Sequence, residues 1–248
     1  MTLETFIAEG KASEKSDWSW AWQNFLPVVK ALIEESQSKH VLEVGGGRSP
    51  SFTEQEMSAL NASYTANDIS ASELARAPAW VKTAHFDIQT PNAADIDHFR
   101  EKFDFVFSKM VMEHVKSYER AYRNIFSVLA PGGISIAFHP VYYAMPFVVN
   151  KILPEKLTNE VLKKVFPYRN EGEVPKFPAH YSGCTVSESV RQELFSIGFK
   201  KVWQIPFYGH PYYRKIPIIQ KVNDAFSAIL SKNGVSKWSS YCFTIVEK

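Results

Sequence analysis

Two cysteines in 248 residues are too few to staple a domain. Cys184 and Cys242 stand far apart and outside any CxxC spacing, so neither a disulfide framework nor a zinc or other metal centre is expected. Long apolar runs are missing too. The greasiest stretch, Val141 to Leu153, is interrupted by Pro146, Asn150 and Lys151. It falls short of the roughly 20 residues that cross a bilayer and reads as a core segment or pocket wall, the alternative being contact with a lipid surface, so no integral membrane association is expected. Residues 1–17 are polar and lack the apolar core of a secretory leader. No strong excess of one charge exists either: 28 Lys and Arg against 26 Asp and Glu give a net +2, which leaves no nucleic-acid footprint. These absences lead to the expectation of a soluble, cytoplasmic protein.

The charge that is present is unevenly spread. Residues 1–150 are net acidic and residues 151–248 net basic. The basic part reads either as attraction for an anionic substrate or as a solvated mixed surface. With 45% hydrophobic residues, the chain can bury the core of one large α/β domain, alone or with an inserted cap.

Periodicity supports that class. Trp18, Trp22, Phe25, Leu26, Val29 and Ile33 recur at helical spacing ahead of a first strand near 40–44. Further strands are expected near 63–67, 81–86, 103–107 and 133–138, separated by helix-length segments, the best of them Tyr118 to Leu129. Alternating strand and helix implies a doubly wound, mostly parallel sheet. The rhythm breaks over 140–183, which holds six prolines and one plausible helix from Glu155 to Val165, and reads as an inserted cap. It resumes with a helix from Ser187 to Ile197, whose start has Thr185 and Glu188 in capping-box spacing and which Gly198 ends. A strand at 201–205, a helix near 218–230 and a last strand at 238–246 follow.

The chemistry concentrates at Val41-Leu42-Glu43-Val44-Gly45-Gly46-Gly47, an apolar strand bearing one acid and breaking into three glycines. Glycines tolerate positive φ and let a ligand approach the backbone. An acid inside an apolar strand needs a partner. Ser51 and Glu54 beyond the turn have capping-box spacing, so strand, glycine turn and helix start follow one another. In a dinucleotide-binding turn, the third glycine of GxGxxG would fall at Pro50, where proline hinders close helix packing; a nicotinamide-dependent oxidoreductase is therefore the weaker reading.

Taken in order, VLEVGGG, TANDIS, AHFDIQ, FDFVFSKMVMEHV and VLAPGGISIAF resemble the motifs of class I S-adenosylmethionine-dependent methyltransferases of the type 11 kind. The resemblance covers roughly Lys39 to His139, and more loosely Gly198-Phe199 and the closing strand. It implies a single domain over 1–248 with a helical extension at 1–38. The implied sheet has seven strands in the order 3-2-1-4-5-7-6, strand seven antiparallel, with the 140–183 cap between strands 5 and 6.

The resemblance also implies roles. Gly45, Gly46 and Gly47 would admit the methionine part of S-adenosylmethionine, and Glu43 would hold its amino group. Asp68, with Ile69, would meet the ribose; Asp87 would face the adenine amino group and Ile88 pack on the ring. Ser108 and Lys109 would lie near the sulfur, with the lysine turned away from the positive sulfonium. His114, His139 and His180 are the candidate bases. The family's usual further glycine is Ser49 here.

A small-molecule or glycan hydroxyl is the expected acceptor, with amine or carboxylate methylation and a silent cofactor-binding protein as alternatives. Methylation of nucleic acid is disfavoured. The loop after the fourth strand lacks an Asn/Asp-Pro-Pro-aromatic motif, and neither cysteine follows a proline.

Overall fold

The computed structural model describes Thr5, residues 16–144 and residues 178–248. Most of the expected cap, including its helix, lies outside the described residues, as does most of residues 1–15.

Helix α1, Trp18–Glu35, starts where the Asp17 carboxylate accepts the Ser19 N–H at 2.7 Å, satisfying one of the donors that a helix start leaves open. Its apolar stripe buries Phe25, Val29, Leu32 and Ile33 against a seven-stranded sheet. The strands are β1 His40–Val44, β2 Ser63–Asp68, β3 Lys82–His85, β4 Phe103–Lys109, β5 Leu129–Pro140, β6 Lys201–Phe207 and β7 Tyr241–Glu247. Their spatial order is β3-β2-β1-β4-β5-β7-β6, and β7 runs antiparallel to both its neighbours. This is the topology implied by the sequence resemblance.

Alternation along β1 sorts the two faces. Val41 joins the core under α1, while Leu42 and Val44 join the opposite core. That second core is covered by α4 (Tyr118–Val128) and α5 (Glu188–Ile197), whose Ile125 and Leu194 are buried in it. Two short helices, α2 Glu54–Ala59 and α3 Ala71–Leu74, lie between α1 and α4 in sequence, and α6, Pro217–Lys232, links β6 to β7. The register pairs Val44 with Asn67 of β2 and with Ser108 of β4. Three neighbouring strands therefore end together, which opens the crevice at the carboxyl edge where ligands bind in such sheets.

Local details differ from the sequence expectations. The cap of α2 is Thr53, in a reciprocal capping box with Glu56, not Ser51 with Glu54. Ser51 is held instead by the Glu43 carboxylate. Helix α5 is capped by Ser187, which accepts the Val190 N–H, rather than by Thr185. Strand β5 begins four residues before the expected 133, because the Pro131-Gly132-Gly133 turn is absorbed as an irregularity opposite Phe103 to Phe105, with Gly132 at φ +79°.

Candidate active site

The glycine turn is built around contacts that a side chain would break. Gly45 has φ +78°, and a Cβ there would stand 2.5 Å from Val111 Cγ2. A Cβ on Gly46 would stand 2.8 Å from a Glu43 carboxylate oxygen, and one on Gly47, at φ +47°, 3.0 Å from Asp68 Oδ2. The N–H groups of Gly45 and Gly46 both donate to the Asn67 carbonyl, at 2.9 and 3.0 Å, which pins the turn across the end of β2. Asn67 is itself fixed, its amide donating to the Ala84 and Phe86 carbonyls of the β3 side. Ser49 donates its N–H to the Gly46 carbonyl at 3.1 Å and keeps an ordinary negative φ. That position therefore has no need of glycine, and the departure from the family pattern leaves the turn intact.

Glu43 finds its partners in the loop. Its buried carboxylate accepts the Ser51 N–H at 3.1 Å and short hydrogen bonds from the Ser51 and Tyr64 hydroxyls. Burial still raises its pKa, against the pull of those bonds and of Lys109. Arg48, at the far side of the turn, makes a bidentate pair with Glu73 of α3, at 2.5 and 2.9 Å. That pair holds the Glu73 carboxyl below its usual range. Ser51, Tyr64, Arg48 and Glu73 escaped sequence reasoning, because no spacing rule links a loop hydroxyl to an acid eight residues back or an arginine to a helix 25 residues on.

Asp68 ends β2 facing the turn, with Oδ1 accepting the Ser70 N–H at 2.8 Å. Beside it Ile69 is 51% exposed, an apolar side chain left open at the strand end. Asp87 is half-buried and accepts the Gln89 N–H at 2.9 Å, and Ile88 is buried. This loop is strung to its neighbours. Asn124 of α4 donates to the Ile88 and Thr90 carbonyls, and Gln89 accepts the N–H groups of Lys116 and Ser117. Ser108 is buried at the end of β4. Lys109 lies 5.2 Å over the Trp22 ring of α1, and burial lowers its pKa despite Glu43.

The three histidines separate into two groups. His114 ends a one-turn helix, Met112–His114, just beyond β4, and is 36% exposed. Its Nδ1 stands 3.1 Å from the Pro178 carbonyl and its Nε2 4.0 Å from Glu113. The Glu113 carbonyl accepts the N–H groups of His180 and Tyr181, at 2.7 and 2.9 Å, so the return of the chain from the insertion is fastened to the same turn. His114 and His180 thus meet at Glu113.

His139 is elsewhere. It lies inside β5 opposite Cys242, not after the strand, and is 3% exposed. Its Nδ1 donates to the Pro140 carbonyl at 3.0 Å, so Nε2 accepts from the Thr244 hydroxyl at 2.9 Å. Burial pushes its pKa down to about 4. It borders a cavity of ≈ 10 Å³ lined also by Met112, Tyr122 and Cys184, room for one water at most. A neutral ring with both nitrogens engaged has no position free for a substrate proton. Glu113 was passed over by sequence reasoning as a companion of His114. It is buried, its Oε2 has no partner among the described residues, and burial raises its pKa to about 6.

The cradle free of side chains, with Asp68 facing it and Asp87 on the adjoining loop, fits a ligand that packs against backbone at one end and offers hydroxyls at the other. Residues 42–137 match the methyltransferase domain family, spanning all of these motifs. Residues 42–137 form a methyltransferase domain of the class I, S-adenosylmethionine-dependent kind. S-adenosylmethionine is the cofactor that domains of this kind bind.

No curated protein matches the chain. Solved structures share its fold at low identity. Two of Haemonchus contortus phosphoethanolamine N-methyltransferase 2 superpose with a TM-score of 0.55 at 16% and 15% identity, covering 92% and 100% of this chain but 53% and 60% of theirs. The chain thus spans little more than half the length of those relatives. An S-adenosylmethionine-dependent methyltransferase from Mesorhizobium loti has a TM-score of 0.50 at 16% identity, covering 90% of this chain and 96% of its own. The CurJ carbon methyltransferase has a TM-score of 0.50 at 14% identity, covering 95% of this chain and 57% of its own. Among the described residues no helix is long and apolar enough to cross a membrane, and no His, Cys, Asp and Glu side chains cluster as metal ligands.

Proposed function

We propose that this methyltransferase acts on a hydroxyl of a small molecule or glycan, with His114 as the proton acceptor and His180 beside it at the mouth of the cleft. One observation carries the reading: a half-exposed imidazole at the end of β4, steered by the neighbouring Glu113 and the Pro178 carbonyl. A hydroxyl must shed its proton as it attacks, whereas an unprotonated amine needs less help, so a base in this position favours oxygen. The bound cofactor supplies an activated methyl on a positively charged sulfonium.

The protein's own residues do the rest. The backbone of Gly45 to Gly47 would bear the methionine part, and Glu43 would act through Ser51 and Tyr64 to keep that turn in shape. Asp68, with Ile69 beside it, would accept the ribose hydroxyls, and Asp87 and Ile88 would meet the adenine. Ser108 would line the floor near the sulfur. Lys109, engaged with Trp22, would keep its ammonium away from the like charge. Holding the acceptor in line behind the methyl carbon is the main source of rate in such a transfer. His139 holds β5 to β7 in this scheme and takes no proton.

A second reading has its own support. A Glu113 carboxylate beside His114, with one oxygen unpartnered among the described residues, suits an amine acceptor, and the Haemonchus relatives are N-methyltransferases. Incubation with S-adenosylmethionine labelled in the methyl group against pools of hydroxylated and amine acceptors, with the product bond identified by NMR, distinguishes the two. A methyl ether, with His114→Ala losing turnover near neutral pH and recovering part of it in alkali, where solvent can deprotonate the acceptor, supports the hydroxyl reading. An N-methyl product with His114→Ala at full activity would sink it.

A further inference from the structure

Helix α6 is built inside out. A surface helix ordinarily turns its apolar stripe to the core and its polar face to water. Here Asn223 is the one buried residue of sixteen. The inward face is polar and bonded: Gln220 donates to the His210 carbonyl at 2.9 Å and accepts the Tyr213 N–H at 3.1 Å, and the Ser231 hydroxyl meets that of Ser16 at 2.7 Å. The outward face carries Ile218, Ile219, Val222, Phe226 and Ile229 at helical spacing, with Ile218 79%, Val222 59% and Ile229 58% exposed. Scattered surface leucines are ordinary, but a contiguous apolar ridge along about three turns asks for an apolar partner.

The charges around the ridge say which partner. Residues 210–238 hold Arg214, Lys215, Lys221, Lys232 and Lys237 against the single acid Asp224. On a helical wheel Lys221 and Lys232 fall side by side along one margin of the ridge, and Arg214 and Lys215 precede its first turn. An apolar stripe with a basic border is the pattern of a helix that lies in the plane of a membrane surface, its side chains among the acyl chains and its cations among anionic headgroups. A second copy of the chain would bring like charge against like.

We infer that α6 docks the methyltransferase onto an anionic lipid surface as a peripheral protein. Strand β6 is parallel to β5, so α6 leaves the sheet at the edge where the glycine turn also lies. Docking therefore engages the rim of the catalytic side rather than the opposite end. The inference stands apart from the choice of acceptor.

The test is co-sedimentation of the full chain with vesicles of phosphatidylcholine, with and without phosphatidylglycerol, together with its size in solution. The wild type is expected to bind the anionic vesicles, to ignore the neutral ones, and to release as salt rises past the screening range. Replacing Ile218, Val222 and Ile229 together by serine should weaken binding at least about tenfold, and Lys221→Glu with Lys232→Glu should do the same. Because these side chains are exposed, the variants should melt with the wild type. The inference is overturned if the wild type stays in the supernatant, if it binds neutral vesicles equally, or if the serine variant binds as well. It is also overturned if the wild type is a dimer that the serine variant splits, since the ridge would then belong to a second copy.

Discussion

Val111 stands where Gly45 would carry a side chain: its Cγ2 is 2.5 Å from the site of the missing Cβ. The loop after β4 and the turn after β1 are thus packed backbone against side chain at the carboxyl edge of the sheet. Gly45→Ala must pay twice, for a left-handed backbone costing about 1–2 kcal/mol and for the contact with Val111. The expected result is a fall in S-adenosylmethionine affinity of at least about tenfold by calorimetry, with a lowered melting temperature. Adding Val111→Ala should recover part of the loss. If the double variant is no better than Gly45→Ala alone, the contact is not what excludes a side chain.

Asp68 offers a cleaner separation of binding from folding. One carboxylate oxygen holds the Ser70 N–H, and the other faces the turn. Asp68→Asn keeps an oxygen for Ser70 but removes the charge that would accept two ribose hydroxyls. Charge-assisted bonds are worth roughly 1.5–3 kcal/mol, so cofactor affinity should fall about ten- to hundredfold while the cofactor-free protein melts nearly unchanged. Equal affinity in the variant would remove Asp68 from the binding site.

Much of this architecture was legible because it rests on short-range signals. The glycine turn, the acid ending β2 and the alternation of strand and helix announce a doubly wound sheet, while its strand order was implied only by the family resemblance that the motifs carry. The failures have a shared physical cause. Ser51 and Glu54 have capping-box spacing, yet Thr53 and Glu56 form the cap because Glu43 captures Ser51 across the loop. His139 looked like a crevice residue because it follows a run of strand formers, but β5 extends to Pro140 to pair with β7. A tertiary partner decided each case, and such partners leave no trace in local spacing.

Stability should fall in acid for a nameable reason. His139 and His210 are buried and neutral in the folded protein, each with its pKa pushed down to about 4. The unfolded chain takes up their protons near pH 6.5. Their contribution is therefore intact above pH 6.5 and is lost progressively as pH falls toward 4, by up to about 3 kcal/mol for His139. His139→Gln, whose amide can still donate to the Pro140 carbonyl and accept from Thr244, should flatten this dependence. Melting curves from pH 4 to 8 measure it. A variant whose melting temperature falls as steeply as the wild type's would show that the ring does not control the acid response.

Glu113 works in the opposite sense. Burial raises its pKa to about 6, so the folded protein keeps a proton that the unfolded chain gives up near 4.5. Its contribution is favourable below pH 4.5 and disappears as pH rises through 6, leaving at neutral pH a buried charge with an unpartnered oxygen. Glu113→Gln removes that charge and leaves the backbone carbonyl that holds His180 and Tyr181 unchanged. The variant should melt higher than wild type at pH 8, by the equivalent of about 1–2 kcal/mol, and match it near pH 4.5. If it also loses turnover with an amine acceptor while keeping its gain in stability, the carboxylate was being held charged for a cationic substrate. A variant less stable than wild type at pH 8 would mean that the ionised carboxylate has a partner strong enough to outweigh its burial.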